Sequence, residues 1–225
     1  MSVNNKHNQR ANELKTARKE MLQALMGSSG KLIGFAFLGS ALLAITHFLT
    51  ADRIAENERQ AVLRGIEEVV EPSRYDNSPS DDIQLLSPSS QLDGENPVLV
   101  YRARKSGKPV AAIVKSAALN GYNGRIGLLV GINYDGSISG VRIVRHKETP
   151  GLGDTIETRK SDWVLSFNNR TLGDTDWAVK KDGGDFDQFT GATITPRAIV
   201  QNVKATLQYF NDNREAIFAQ GASRP

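Results

Sequence analysis

Apolar and polar positions divide the chain into four regimes. Residues 1–31 are polar and largely basic, and residues 32–50 read LIGFAFLGSALLAITHFLT without a formal charge. Residues 51–97 mix charges with Ser and Pro, and from residue 98 onward short apolar runs alternate with turn residues. The nineteen-residue uncharged run lies between Lys31 and the pair Asp52 and Arg53. At about 1.5 Å per residue, a helix of that length reaches about 28 Å, close to the roughly 30 Å of a bilayer core. The pattern therefore predicts one transmembrane helix over 32–50. A cleaved signal peptide is the competing reading, but the run is longer than a usual h-region and no small-x-small cleavage site follows it. A buried core helix is a further alternative, which the Gly and Ser content fits less well.

After the span, ADRIAENERQAVLRGIEEVV carries Ile54, Val62, Ile66 and Val69 at helical spacing and ends before Pro72. Residues 72–97 are rich in Ser, Pro, Asp and Asn, with an apolar interruption at Ile83, Leu85 and Leu86 that suggests one short strand. From Val98, VLVYRAR and PVAAIVKSA flank Ser106-Gly107-Lys108, while IGLLVGI and SISGVRIVR flank Asp135-Gly136. Both patterns predict β-hairpins, giving four adjacent antiparallel strands. A helix is expected from 156 to about 167, with Trp163 and Phe167 on one face. Another is expected from 196 to about 211, striped by Ile199, Val203, Leu207 and Phe210. The fold class is α+β: an N-terminal transmembrane helix, then a small antiparallel sheet with helices on one side. The expected organisation is a cytoplasmic tail at 1–31, the span at 32–50, a helical stalk and connector at 51–97, and a periplasmic domain at 98–225.

Charge alters this picture in one respect. Lys6, Arg10, Lys15, Arg18, Lys19 and Lys31 precede the span, against Arg53, Arg59 and Arg64 soon after it, a modest bias that does not by itself settle the orientation; the expected topology keeps the N-terminus in the cytoplasm. The net charge of +3 comes from 28 basic and 25 acidic residues spread along the chain, which gives nucleic-acid binding no support. No cysteine is present, so thiolate metal sites, iron–sulfur ligation and disulfides are excluded together, and an exported domain needs no oxidative folding. The three histidines, His7, His47 and His146, fall in separate segments and form no metal cluster, and no Ser/His/Asp arrangement suggests a hydrolase. Redox chemistry in such a chain requires an organic cofactor.

Two segments carry candidate chemistry. His146 to Asp154 reads HKETPGLGD and follows the fourth predicted strand, with Pro150, Gly151 and Gly153 around Leu152. A loop at a strand end with exposed amides is a common ligand-contacting position, although a plain connection uses the same turn residues. The second segment, DGGDFDQFTGATITPRAIV, places Thr190, Gly191, Ala192 and Thr193 just before Thr195 and Pro196, which read as the N-cap and first residue of a helix. Unpaired amides at a helix N-terminus favour a phosphate, and a simple cap gives the same sequence.

Asp187-Gln188-Phe189-Thr190-Gly191-Ala192-Thr193 resembles the motif at which a dedicated flavin transferase joins FMN, through its phosphate, to the last threonine hydroxyl. HKETPGLGD looks like the companion motif of the same FMN-binding domain family. WAVKKDGGDFDQFTGATITPRA, SDW at 161–163 and NGRIGLLVGINYDG are together similar to the G-subunit family of the Rnf (also called Rsx) electron transport complex. The resemblance covers the anchor and residues 98–209.

It implies a covalent FMN on Thr193, with Asp187, Thr190, Gly191, Ala192 and Thr195 around the attachment. It further implies a second wall made by His146, Glu148, Thr149, Pro150, Gly151, Leu152 and Gly153. It implies no catalytic residue beyond the flavin, no metal, and no stand-alone activity. The expected role is an electron relay in an inner-membrane translocase linking ferredoxin and NAD to ion transport, with the other subunits of that complex and the flavin transferase as partners. The C subunit of the sodium-translocating NADH:quinone reductase shares the domain and is the nearest rival. A membrane-anchored interaction module with an unused motif is a rival of another kind. Without the resemblance, His146 reads as an ordinary surface histidine, and Trp163 and Trp177 as core or rim aromatics.

Overall fold

In the computed structural model, residues 3–219 are described, with side-chain surroundings from residue 32 onward. The tail side chains and residues 220–225, invoked above for topology and the domain end, lie outside the described residues. Helix α1 (Val3–Val69) contributes to two compact units, Met1–Glu56 and Asn57–Pro225.

In the first unit, the large apolar side chains of 32–49 are between 57% and 82% exposed around the whole helix. A helix apolar on all sides and without protein cover matches a bilayer span, and Leu32–Val69 contains the one stretch of the described residues long and apolar enough to cross. Thr46 and Thr50 donate their hydroxyls to the Leu42 and Thr46 carbonyls, which satisfies both groups within the helix itself.

The second unit is built on five antiparallel strands in sequential order: β1 (Ile83–Leu86), β2 (Val98–Lys105), β3 (Lys108–Gly121), β4 (Gly124–Asn133) and β5 (Ile138–Arg145). The two predicted hairpins are present. Ser106 and Gly107 both take positive φ, as a two-residue type I′ turn requires, and Asp135 accepts the Ser137 N–H beside Gly136 at φ 96°. A third hairpin joins β3 to β4 through Tyr122 and Asn123. One row of facing positions runs Gln84, Val100, Val114, Val130 and Val141 across the sheet.

Helix α2 (Ile194–Phe218) covers this face, burying Ile199, Val203, Leu207 and Phe210 completely, so the predicted stripe is correct and the helix is longer than expected. Its last carbonyls are held by β2: Arg102 donates to Ile217 O and Ala219 O, and Arg104 to Phe218 O. Under α2, Asn202 bonds to Gln91 O and Ala117 O and accepts from Ser116, which satisfies the buried polar groups there.

The expectation of helices on one side only is not met. Residues 62–70 of the second unit pack Ile66, Val69 and Val70 on the opposite face, against Tyr101, Ala103, Ala111, Ile113 and Leu129. The helix approaches this face over the paired glycines Gly131 and Gly140; a Cβ on either would lie 3.0 Å from an atom of Val69. Two-sided burial explains why PVAAIV and IGLLVGI are continuous apolar runs rather than alternating ones.

The helix expected over 156–167 is also absent. Two 3₁₀ turns, Gly153–Ile156 and Trp163–Phe167, deliver Ile156, Val164 and Phe167 to the core instead. Ser161 bonds back to Thr155 O and Lys160 to Asp154, closing a local loop that competes with helical pairing.

Candidate functional site

Both candidate segments end at the N-terminus of α2, on one cavity of about 290 Å³. It is lined by Glu148, Thr149, Leu152 and Gly153 from the segment after β5, by Gly191, Ala192 and Thr193 from the turn before α2, by Ile194 and Thr195 from its first turn, and by Tyr122 from the β3–β4 hairpin. The turn before the helix needs Gly191 at φ 82°, and Ala192 N–H bonds to Phe189 O across it. The helix begins at Ile194 with Thr193 as its flanking residue, not at the Thr195-Pro196 pair. The reason lies in the tertiary fold: the fully buried Thr195 hydroxyl donates to Glu148 Oε2 rather than back to its own helix. Pro196, which has no N–H to leave unpaired, is tolerated inside the first turn. The Thr193 side chain makes no capping bond, so its hydroxyl stands at the cavity free of that role.

Glu148 fastens the site together. It is 4% exposed and has no ion-pair partner among the described residues; besides the Thr195 hydroxyl it accepts the Asn123 N–H at 3.0 Å. Asn123 also reaches Thr149 Oγ1 at 3.2 Å, so the hairpin tip, the loop and α2 meet at one carboxylate. Gly153 is required there, since a Cβ would lie 2.9 Å from Glu148 Cβ and 3.2 Å from Thr195 Oγ1. The loop is braced from behind. Gly151 N–H donates to Asp154, whose other oxygen takes Lys160 at 2.6 Å, and the Lys160 ammonium holds the Asp154 carboxyl below its ordinary range. The Glu148 N–H donates to His146 Nδ1, which makes the imidazole Nε2 the donor toward Glu157 at 3.1 Å. Arg159, and then His146, lower the Glu157 carboxyl.

Not every expected site residue reaches the cavity. His146 turns to Glu157, and Pro150 and Gly151 shape the loop without lining the cavity. Thr190 and Asp187 are exposed on the approach; Asp187 pairs with Lys180 at 2.7 Å, and its carbonyl takes the Trp163 indole N–H at 2.7 Å. Trp163 packs edge-on to Phe189 and Phe167, as a rim aromatic does. Sequence reading missed Tyr122, Asn123 and Ile194. The only signal for the first two was a Gly-Tyr-Asn-Gly turn whose place beside the loop depends on strand order. Leu152, Ile194 and Tyr122 are 44%, 46% and 64% exposed, an apolar rim around polar backbone. Such a site can hold a phosphate at the helix end and a planar apolar group against the rim.

The family model for the FMN-binding domain matches residues 121–208, which include every residue of the cavity, and the model described as the RnfG N-terminal region matches residues 21–69. A protein of Pseudoalteromonas atlantica, named as the G subunit of an ion-translocating oxidoreductase complex, is 47% identical over 202 residues, covering 88% of this chain and 94% of that one. Its namesake in Vibrio atlanticus is 43% identical over 203 residues, with 89% and 97% covered. The Pseudomonas aeruginosa protein of the same name is 47% identical over 188 residues, with 82% and 88% covered. The chain thus belongs to the G-subunit family of ion-translocating oxidoreductase (Rnf) complexes, as an electron-transport subunit with that family's FMN-binding domain.

Proposed function

We propose that Thr193 carries FMN as a phosphoester and that the domain faces the periplasm as an electron relay within an ion-translocating complex of the ferredoxin/NAD type. The observation that carries this reading is the meeting of the TGAT turn and the TPGLG loop on one cavity at the N-terminus of α2. The residues fit the group. The Thr193 hydroxyl is free of capping, the first-turn amides and the positive end of a 25-residue helix favour phosphate oxygens, Gly191 takes the positive φ of the turn, and Gly153 lets the loop close on Glu148 and Thr195. Leu152, Ile194 and Tyr122 offer an apolar rim for a flat ring. When bound, the flavin supplies the electron-transfer chemistry that the side chains lack.

The protein's own part is positional. Glu148 sets the spacing between loop and helix, and Asn123 fixes the hairpin tip. Asp187, Gln188 and Thr190, exposed on the approach, present the attachment sequence to a flavin transferase. Covalent tethering keeps the cofactor from being lost outside the cytoplasm and fixes where the electron waits. A relay also explains a domain with no nucleotide-binding G-x-G-x-x-G unit and no iron–sulfur ligands. The test is coupled turnover and ion uptake by the purified complex in vesicles. Thr193→Ala should abolish both while the other subunits remain assembled. Normal coupled turnover without flavin on this chain would refute the relay role.

A further inference from the structure

On the sheet face opposite α2, a groove of about 570 Å³ runs between the 61–68 stretch of α1, β5 and the 157–159 turn; His146, which braces the flavin-site loop, lines it too, but it shares no lining residue with the cavity at α2. Four guanidinium groups line it, from Arg64, Arg142, Arg145 and Arg159, against two carboxylates, Glu68 and Glu157. Arg142 is already committed, with donors on Glu68 and on the Val141 carbonyl. The other three have donors to spare. Arg64 has no ion pair among the described residues, Arg145 meets Glu58 through one nitrogen at 2.7 Å, and Arg159 meets Glu157 through Nε alone. A guanidinium carries five N–H donors in a planar fork suited to phosphate oxygens, so three partly free forks around one groove form a set of donors for a phosphate anion. Ala61, Ile143 and Val144 contribute an apolar part to the same lining.

We infer that this groove binds the phosphate of an anionic phospholipid headgroup, with the glycerol end of the lipid against Ile143 and Val144. A second fact favours a lipid over free phosphate. Reading 32–50 as the membrane span, Thr50 and Asn57 are seven residues apart. Seven residues reach at most about 25 Å, so the chain itself limits how far Asn57 can lie from the end of that span. Anionic headgroups attract basic residues clustered near the surface, and added salt weakens the attraction.

The test uses the full chain in a neutral maltoside detergent, so it depends on neither membrane orientation nor flavin. It is titrated with dihexanoyl phosphatidylglycerol, with phosphatidylcholine of the same chains, and with inorganic phosphate. Calorimetry and hydrogen exchange over 58–66 and 142–147 are the readouts. Saturable binding of phosphatidylglycerol is expected, with protection of both segments and affinity roughly tenfold above that for phosphatidylcholine or inorganic phosphate. The pair Arg64→Gln and Arg145→Gln should weaken it roughly tenfold, whereas Lys105→Gln, on the remote β2–β3 turn, and Thr193→Ala should leave it unchanged. Arg64→Gln alone removes an exposed, unpaired side chain, so its weaker binding cannot be ascribed to unfolding. Inorganic phosphate binding as tightly as the lipid would overturn the headgroup assignment. Absence of saturable binding, or equal binding by the double variant, would overturn the site itself.

Discussion

Glu148→Ala tests whether one buried carboxylate assembles the site. The substitution leaves two donors without their acceptor, but they are not equivalent. Asn123 is exposed and its N–H can turn to water, whereas the Thr195 hydroxyl is completely buried and cannot. An orphaned buried donor costs about 1–3 kcal/mol, and removing a negative charge beside the N-terminus of α2 costs a further fraction of a kcal/mol or more. Relief from burying a carboxylate without a cation partner offsets part of this, so the net is about 2 kcal/mol. For a unit of this size that corresponds to roughly 4–8 °C in melting temperature. Thr195→Val alone should cost a similar amount, because it leaves Glu148 buried with one donor fewer. The double variant removes both partners and should be less destabilised than the sum by at least about 1 kcal/mol. The assay is urea and thermal unfolding of the full chain in detergent, followed by near-ultraviolet dichroism of Trp163 and Trp177, both in the second unit. Strict additivity, or a Glu148→Ala variant as stable as the parent, would contradict the role given to this carboxylate.

Asp82→Ala should be more damaging than a surface change, because it strips the main counter-charge from Arg102, which is 3% exposed and also clasps the end of α2. Breaking a buried pair costs about 3–5 kcal/mol, and the remaining Gln84 and carbonyl acceptors place this one near the lower limit, measurable in the same unfolding assay. Acid should loosen the loop behind the site. Asp154, Glu157 and Asp182 are all held below their ordinary carboxylate values, chiefly by Lys160, Arg159 and Arg197 respectively. Their stabilising contribution is therefore full above about pH 5 and is lost as pH falls through the lowered folded values. Dichroism of Trp163 against pH should show the loss, and Lys160→Gln should reduce it. For topology, a reporter active only outside the cytoplasm, fused after Phe218, should be active; activity of a cytoplasmic reporter there would reverse the assigned orientation.

Local signals made the hairpins, the α2 stripe and the apolar span legible, since each rests on turn residues or periodicity within a few positions. The misreadings share a cause in distant contacts. Thr195 looks like a cap until Glu148, 47 residues earlier, claims its hydroxyl. Ile156, Val164 and Phe167 are spaced as on one helix, yet the Asp154–Lys160 and Thr155–Ser161 bonds divide the segment into two turns. The second helical layer was foreshadowed by unbroken apolar runs and by Gly131 and Gly140, but glycines in a strand do not announce which neighbour they admit. For the site, composition and spacing gave only a helix N-terminus and a bent loop. That the two face each other, with Tyr122 and Asn123 between, follows from the sheet order.

The most direct measurement is the mass of the peptide containing Thr193, taken from the full-length protein produced together with a flavin transferase. An increase of one FMN on Thr193 is expected, with fluorescence that persists after denaturation, loss of both in Thr193→Ala, and weaker labelling in Thr190→Ala. Covalent flavin retained by Thr193→Ala, or an unmodified Thr193 in protein that supports coupled electron transfer, would contradict that expectation.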